Sequence, residues 1–171
     1  DNIPFPVFDE VYFPKYAEGY LNGNPEWEGH PPLSKYLIML GILAFGHNEI
    51  GYRIASAIFG ALVPVLVLGV VYRFTQRWGL ALLSGLFVLT DGLFLVESRF
   101  GLINVFLVAF GFVAQIFLLS GLERQGIART SMLSLSGIML GASASVKWNG
   151  LGFTLMFFLL GVVVWAIALI F

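Results

Sequence analysis

Two adjacent carboxylates, Asp9 and Glu10, stand in a polar, aromatic stretch, Phe8-Asp9-Glu10-Val11-Tyr12-Phe13, ahead of an apolar body. A carboxylate so placed can take a proton from an attacking hydroxyl. Three cations, Arg53, Arg99 and Lys147, sit at the ends of apolar runs further along. Gathered at a membrane surface they can hold a phosphate, arginine in bidentate geometry, and stabilise charge growing on it as it departs. If a lipid carries that phosphate, its tail stays among the helices and the reacting group projects toward Asp9 and Glu10. His30, Lys35, Asp91 and Glu97 complete the set in supporting roles. Asp9, Glu10 and His30 are also of the types that ligate a divalent cation, although their loop setting gives no helical spacing for one. No Gly-rich phosphate loop is present, which argues against a nucleotide sugar as donor.

Each of these residues has a plainer reading. Arg53, Arg99 and Lys147 can be anchors that snorkel to lipid headgroups. Asp91 can pair with one of them to fix helix packing, and Glu97 can be a salt-bridge partner. His30, between Gly29 and Pro31, can be an ordinary loop residue. Asp9 can cap the helix that follows it.

The elements that must position these groups are membrane helices. Hydrophobic residues make up 58% of the chain and charged residues only 11%, against about 25% charged in a soluble domain. The fold class is therefore all-α, a polytopic transmembrane bundle. A net charge of −1 argues against a nucleic-acid partner, and the lack of cysteine excludes disulfides and Cys-based zinc sites. The chain reads as one domain excerpted from a longer protein, with a helix expected before it and more spans after it. Residues 1–50 form a first outer loop with interfacial helices, and residues 51–171 the transmembrane part.

Residues 2–6 hold two prolines and read as extended. Over residues 11–21 the spacing predicts a helix with Tyr12, Tyr16 and Tyr20 on one face and Pro14 in its first turn. The run 36–45 is too short to cross a bilayer and reads as re-entrant or interfacial. Crossings are predicted over 51–74, 79–96, 102–122 and 132–146, with a fifth over 151–171. Pro64 falls within the first, which neighbouring helices can accommodate. Asp91 interrupts the second, eight residues inside Arg99, or roughly 12 Å along a helix; so deep a charge needs a partner or a water-filled cavity. Gly137 and Gly141 make a small-xxx-small pair suited to close helix approach.

Short-loop charge sets the orientation. Arg73 and Arg77 lie between the first two crossings, and Arg124 and Arg129 between the third and fourth. The positive-inside rule puts both loops in the cytoplasm. The polar head and the turns around Glu97–Gly101 and Lys147–Gly150 then share the opposite face. Of the ten acidic residues, all but Glu123 fall on or near that face.

With these pieces in place the chain resembles the protein O-mannosyltransferase family, membrane glycosyltransferases of the GT-C fold, and its bacterial members in particular. The resemblance rests on five pieces in order: Phe8-Asp9-Glu10-Val11-Tyr12-Phe13, His30-Pro31-Pro32-Leu33-Ser34-Lys35, Tyr52-Arg53-Ile54-Ala55-Ser56-Ala57, Asp91-Gly92-Leu93 through Glu97-Ser98-Arg99, and Ser145-Val146-Lys147-Trp148-Asn149-Gly150-Leu151. It implies an integral membrane enzyme, in a bacterial plasma membrane or an endoplasmic reticulum membrane, active on the non-cytoplasmic face. Such an enzyme moves mannose from a polyprenyl-phosphate-linked donor to Ser or Thr hydroxyls of secreted or membrane proteins, with inversion. The implied base is Asp9 of the Asp-Glu pair, and the implied phosphate contacts are Arg53 and, less directly, Lys147. The chain departs from the family pattern at Ser34, where many members have Gly, and at Asn104, where many have Asp. A transferase of the same mechanism with a lipid or glycan acceptor fits the same residues. A transporter of lipid-linked sugar would need charges or helix breaks near mid-membrane and pseudo-symmetric halves.

The topology is open to test in the full-length protein. Single cysteines from Asn24→Cys and Asn149→Cys are expected to react with an impermeant thiol reagent added outside. One from Gln125→Cys should react only after permeabilisation. The reverse pattern would turn the charge cluster to the cytoplasm.

Overall fold

The computed structural model describes residues 8–170; the prolines at 4 and 6 lie outside them. A 3-10 turn, Phe8–Val11, leads into α1, Phe13–Leu21. Pro14 sits in the first turn of α1, where its missing N–H costs nothing. Tyr12 and Tyr16 stack with centroids 6.4 Å apart, while Tyr20 meets Tyr36 edge-on. Helix α2 is Leu33–Phe45, thirteen residues or about 20 Å, too short to cross a membrane. It starts three residues before the apolar run, so Ser34 and Lys35 are helical.

Helix α3, Glu49–Thr75, is begun by the Asn48 side chain, which accepts from the Gly51 N–H at 3.0 Å. It continues through Pro64. Helix α6, Asn104–Leu122, is the second helix both long and apolar enough to span a membrane. Between them the expected crossing 79–96 is not one helix. It is α4, Trp78–Thr90, and α5, Gly92–Arg99, bent by 63°. Asp91 causes the break: its backbone is extended and its carboxylate accepts from the Phe94 N–H at 2.7 Å. The pair counts as a third span if taken as one broken crossing. Asp91 is thus an exposed N-cap, in no ion pair among the described residues.

Helix α7, Gly126–Val146, has the length of a span, but its serines keep it below the apolarity of α3 and α6. Its serines bind it to α6: Ser136 donates to the Ala114 carbonyl and Ser143 to that of Leu107. Gly137 and Gly141 face away from that contact, and a Cβ on either would meet nothing within 4 Å. The small-residue pair therefore does not make the approach its spacing suggests. A 3-10 turn, Trp148–Gly150, leads into α8, Leu151–Ile170.

The core lies at the head end of the bundle, where α1 and α2 pack on residues 102–107. Phe13, Ala17, Ile38 and Ile42 meet Leu102, Ile103, Phe106 and Val146 there, and Phe59 sets its ring edge-on against Phe106 at 5.0 Å. Ser56 donates to the Leu102 carbonyl from within it. At the other end, Arg73 pairs with Glu123 at 3.2 Å. Arg53 and Arg73 are twenty residues apart on one helix, about 30 Å, which matches the thickness of a bilayer core.

Helices α2 and α3 approach closely at Gly41 and Gly51. A Cβ at Gly51 would run into the Gly46 carbonyl oxygen and lie 3.3 Å from Ile42 Cα. Backbone cannot swing aside as a side chain can. Gly51→Ala is expected to destabilise the full-length protein by about 1–3 kcal/mol, read as a lowered Tm in detergent. An unchanged Tm would mean that α2 can part from α3 freely.

Candidate functional site

Adjacent residues in a 3-10 turn point different ways, and the turn Phe8–Val11 separates its two carboxylates accordingly. Glu10 is 2% exposed. Its Oε1 accepts from Arg53 Nε at 2.6 Å and from the Gly101 N–H at 2.8 Å, and its Oε2 accepts from Arg53 Nη2 at 2.8 Å. Arg53 Nη1 donates to Glu49 at 3.1 Å. The guanidinium lies over the Phe100 ring at 5.0 Å and the Tyr52 ring at 5.5 Å. Three of its five N–H groups donate to carboxylates, which leaves two for another anion. Arg53 borders an open cavity of about 290 Å³ with Glu49, Ile50, Ile54 and Ala57.

Asp9 is exposed and faces elsewhere. Its backbone carbonyl closes the turn onto the Tyr12 N–H at 2.9 Å. Helix α1 is headed by Tyr12 and has no side-chain cap, so the capping reading of Asp9 does not hold. Asp9 borders a cavity of about 190 Å³ with Tyr12, Phe13, Tyr16, Glu28 and His30. Neither Arg53 nor Lys147 lines it.

Behind that cavity, Lys35 is 1% exposed. Its Nζ donates to the carbonyls of His30 at 2.8 Å and Pro31 at 2.9 Å and pairs with the Glu28 carboxylate. Lys35 therefore holds the His-Pro-Pro loop from inside and is not a surface cation. Beside it, Glu26 hydrogen-bonds Lys15 at the edge of α1 and raises that ammonium's pKa above the usual lysine value. That pair is exposed and adds little stability.

The remaining groups meet at the turn joining α5 to α6. Asn104 Nδ2 donates to Glu97 at 3.1 Å, and Asn104 Oδ1 accepts from Lys147 Nζ at 3.3 Å. An amide can serve an anion and a cation at once; an aspartate here would face Glu97 with like charge. Arg99, in the last turn of α5, is exposed and in no ion pair among the described residues. Trp148, next to Lys147, donates its indole N–H to the Gly29 carbonyl at 2.9 Å and so ties the head loop to the end of α7. A small cavity of about 170 Å³ bordered by Asp91, Phe94, Glu97 and Asn104 lies beside an apolar one of about 380 Å³ bordered by Val63, Val67, Phe87 and Val108.

The structure thus brings Asp9 together with His30, and Glu97 together with Lys147. It separates Glu10 from the Asp9 cavity. The Asp9, Glu10 and His30 set is not assembled for a metal, since Glu10 is committed to Arg53. Among the described residues no group of three or more His, Asp or Glu is placed to hold one. Sequence reasoning missed Glu28, the Gly101 N–H and the Trp148 indole.

An all-helical membrane protein with a polar, carboxylate-bearing head over its helix ends is the class these observations define. The sequence model of the family described as dolichyl-phosphate-mannose-protein mannosyltransferase matches residues 41–170, and the chain belongs to that family. It is 31% identical to the polyprenol-phosphate-mannose–protein mannosyltransferase of Corynebacterium glutamicum over 89% of this chain and 36% of that protein. It is 30% identical to the enzyme of the same name from Mycolicibacterium smegmatis, over 95% of this chain and 37% of that protein. The chain therefore spans little more than a third of the length of these relatives. Its fold matches the Saccharomyces cerevisiae protein O-mannosyltransferase complex bound to the sugar donor, with a TM-score of 0.80, 27% identity, and coverage of 91% of this chain and 24% of that one. The GT-C type of bundle expected from the resemblance is the one it has.

The Glu10–Arg53 pair can be tested directly. Glu10→Ala leaves a half-buried guanidinium with only Glu49 beside it and is expected to cost about 1–3 kcal/mol. Adding Arg53→Met should recover part of that loss. Additive losses in thermal unfolding would mean that the two groups do not depend on each other.

Proposed function

We propose that the protein of which this chain is part transfers mannose from a polyprenyl-phosphate carrier to Ser or Thr hydroxyls of secreted or membrane proteins, with inversion, on the non-cytoplasmic face. The observation that carries the reading is the division of labour within the Asp-Glu pair. Glu10 is spent on structure, and that leaves Asp9 at the edge of a cavity lined by aromatic and polar groups. The names of the relatives supply the donor and acceptor classes.

In this mechanism Asp9 takes the proton of the acceptor hydroxyl as the new C–O bond forms. The polyprenyl phosphate leaves from the opposite side of the anomeric carbon. Lys147 and Arg99 hold that phosphate at the turn between α5 and α6, where their charge is not cancelled by a directly paired carboxylate. Arg53, with two N–H groups to spare, contributes from behind the same turn. Glu97 and Asn104 orient Lys147. The apolar groove beside them takes the start of the lipid tail.

Asp9→Asn is the isosteric test in the full-length protein, assayed with labelled polyprenyl-phosphate-mannose and a Ser/Thr peptide. Donor binding should stay close to wild type while turnover falls by about 100-fold or more. Full turnover in Asp9→Asn would remove the base from this position. Because Glu10 acts through Arg53, Glu10→Gln should lower stability and activity together.

A further inference from the structure

The segment Glu28-Gly29-His30 has no regular structure of its own, yet it is held from two distant places. Lys35 holds it from the start of α2: its Nζ donates to the His30 and Pro31 carbonyls and forms an ion pair with the Glu28 carboxylate. Trp148 grips it from beyond α7 through the Gly29 carbonyl. An apolar side chain in place of Lys35 would strand the Glu28 carboxylate and the two carbonyls, so it is these groups, not packing, that call for a lysine there. What the lysine does is present a carboxylate. Glu28 turns one oxygen back to Lys35; the other, Oε1, lies 4.0 Å from His30 Nε2, and both residues line the cavity that Asp9 borders.

The chemistry of that cavity selects its occupant. Two carboxylates repel a phosphate, so the charged end of a donor lies elsewhere. Carboxylate oxygens, an imidazole and the Tyr12 and Tyr16 rings suit a neutral group rich in hydroxyls, which hydrogen-bonds at its edge and stacks on its face. The space, about 190 Å³, has room for one sugar ring. We propose that Glu28, positioned by Lys35, is a specificity-determining residue that accepts hydrogen bonds from hydroxyls of the donor hexose. The proposal rests on the mannosyltransferase reading above.

The test compares binding of polyprenyl phosphate and polyprenyl-phosphate-mannose to full-length wild type, Glu28→Gln and Glu28→Asp. Gln keeps the shape and an acceptor for Lys35. Asp keeps the charge, and so serves if Gln does not fold, but draws the oxygen back by one methylene. In wild type the mannose should add affinity over the bare phosphate. Both variants should bind bare polyprenyl phosphate as wild type does and lose that increment by about tenfold or more. The KM for a Ser/Thr peptide should stay within about twofold. An intact mannose increment in the variants overturns the proposal. A raised peptide KM with the increment intact also overturns it, by assigning Glu28 to the acceptor. Failure of wild type to bind bare polyprenyl phosphate would sink the transferase reading itself, and this proposal with it.

Discussion

The buried Glu10–Arg53 ion pair ties the polar head to the membrane body. It joins residues 43 apart in sequence and, through the Gly101 N–H, reaches a third segment 91 residues from Glu10. Removing two charges from water costs several kcal/mol each, and their attraction offsets this only when geometry and hydrogen bonding are good. Both conditions are met here, with a side-on bidentate contact and a backbone donor on the same oxygen. The pair is thus better described as fixing position than as supplying stability. It sets the first turn of the head against the start of α3 and the end of α5.

Everything proposed for the site follows from where that contact leaves other groups. With Glu10 turned inward, Asp9 is carried to the opposite side of the same turn. The loop that faces Asp9 is fixed by a local contact from Lys35 and a long-range one from Trp148. The cations sort into two kinds. Lys35, which is internal, and Arg53, which is half-buried, are bound to carboxylates, whereas Lys147 meets a neutral amide and Arg99 stands exposed. Anion binding needs uncancelled positive charge, so the second kind is the better equipped for it.

The break at Asp91 serves the same end of the molecule. A continuous helix through residue 99 would hold an ionised carboxylate in apolar surroundings. The bend places Asp91 at a helix N-terminus, where the N–H groups and the helix dipole favour it. It also re-aims α5, so that Glu97 comes within reach of Asn104 and Gly101 comes under Glu10. A local solution for one charge thereby helps assemble the turn on which the site depends.

By itself the sequence determined the class, the helices and their approximate ends, because apolar runs of bilayer length and the turns between them are local signals. The gathering of Asp9, His30, Arg53, Glu97 and Lys147 at one end of the helices also followed, since alternating spans bring every second turn to the same face. The order of motifs carried the family. Tertiary structure alone decided who pairs with whom. Nothing in the spacing of Glu10, Arg53 and Gly101 says that they meet, because those contacts join segments far apart in sequence, and the burial of Lys35 against Glu28 depends on how the loop folds back over α2. The break within 79–96 was legible in the Asp91-Gly92 pair but overridden by the apolar run around it. The idle face of Gly137 and Gly141 could not be read at all. Small residues permit a close approach, but which face a helix turns to its neighbour is settled by the whole packing, here by Ser136 and Ser143 on α6.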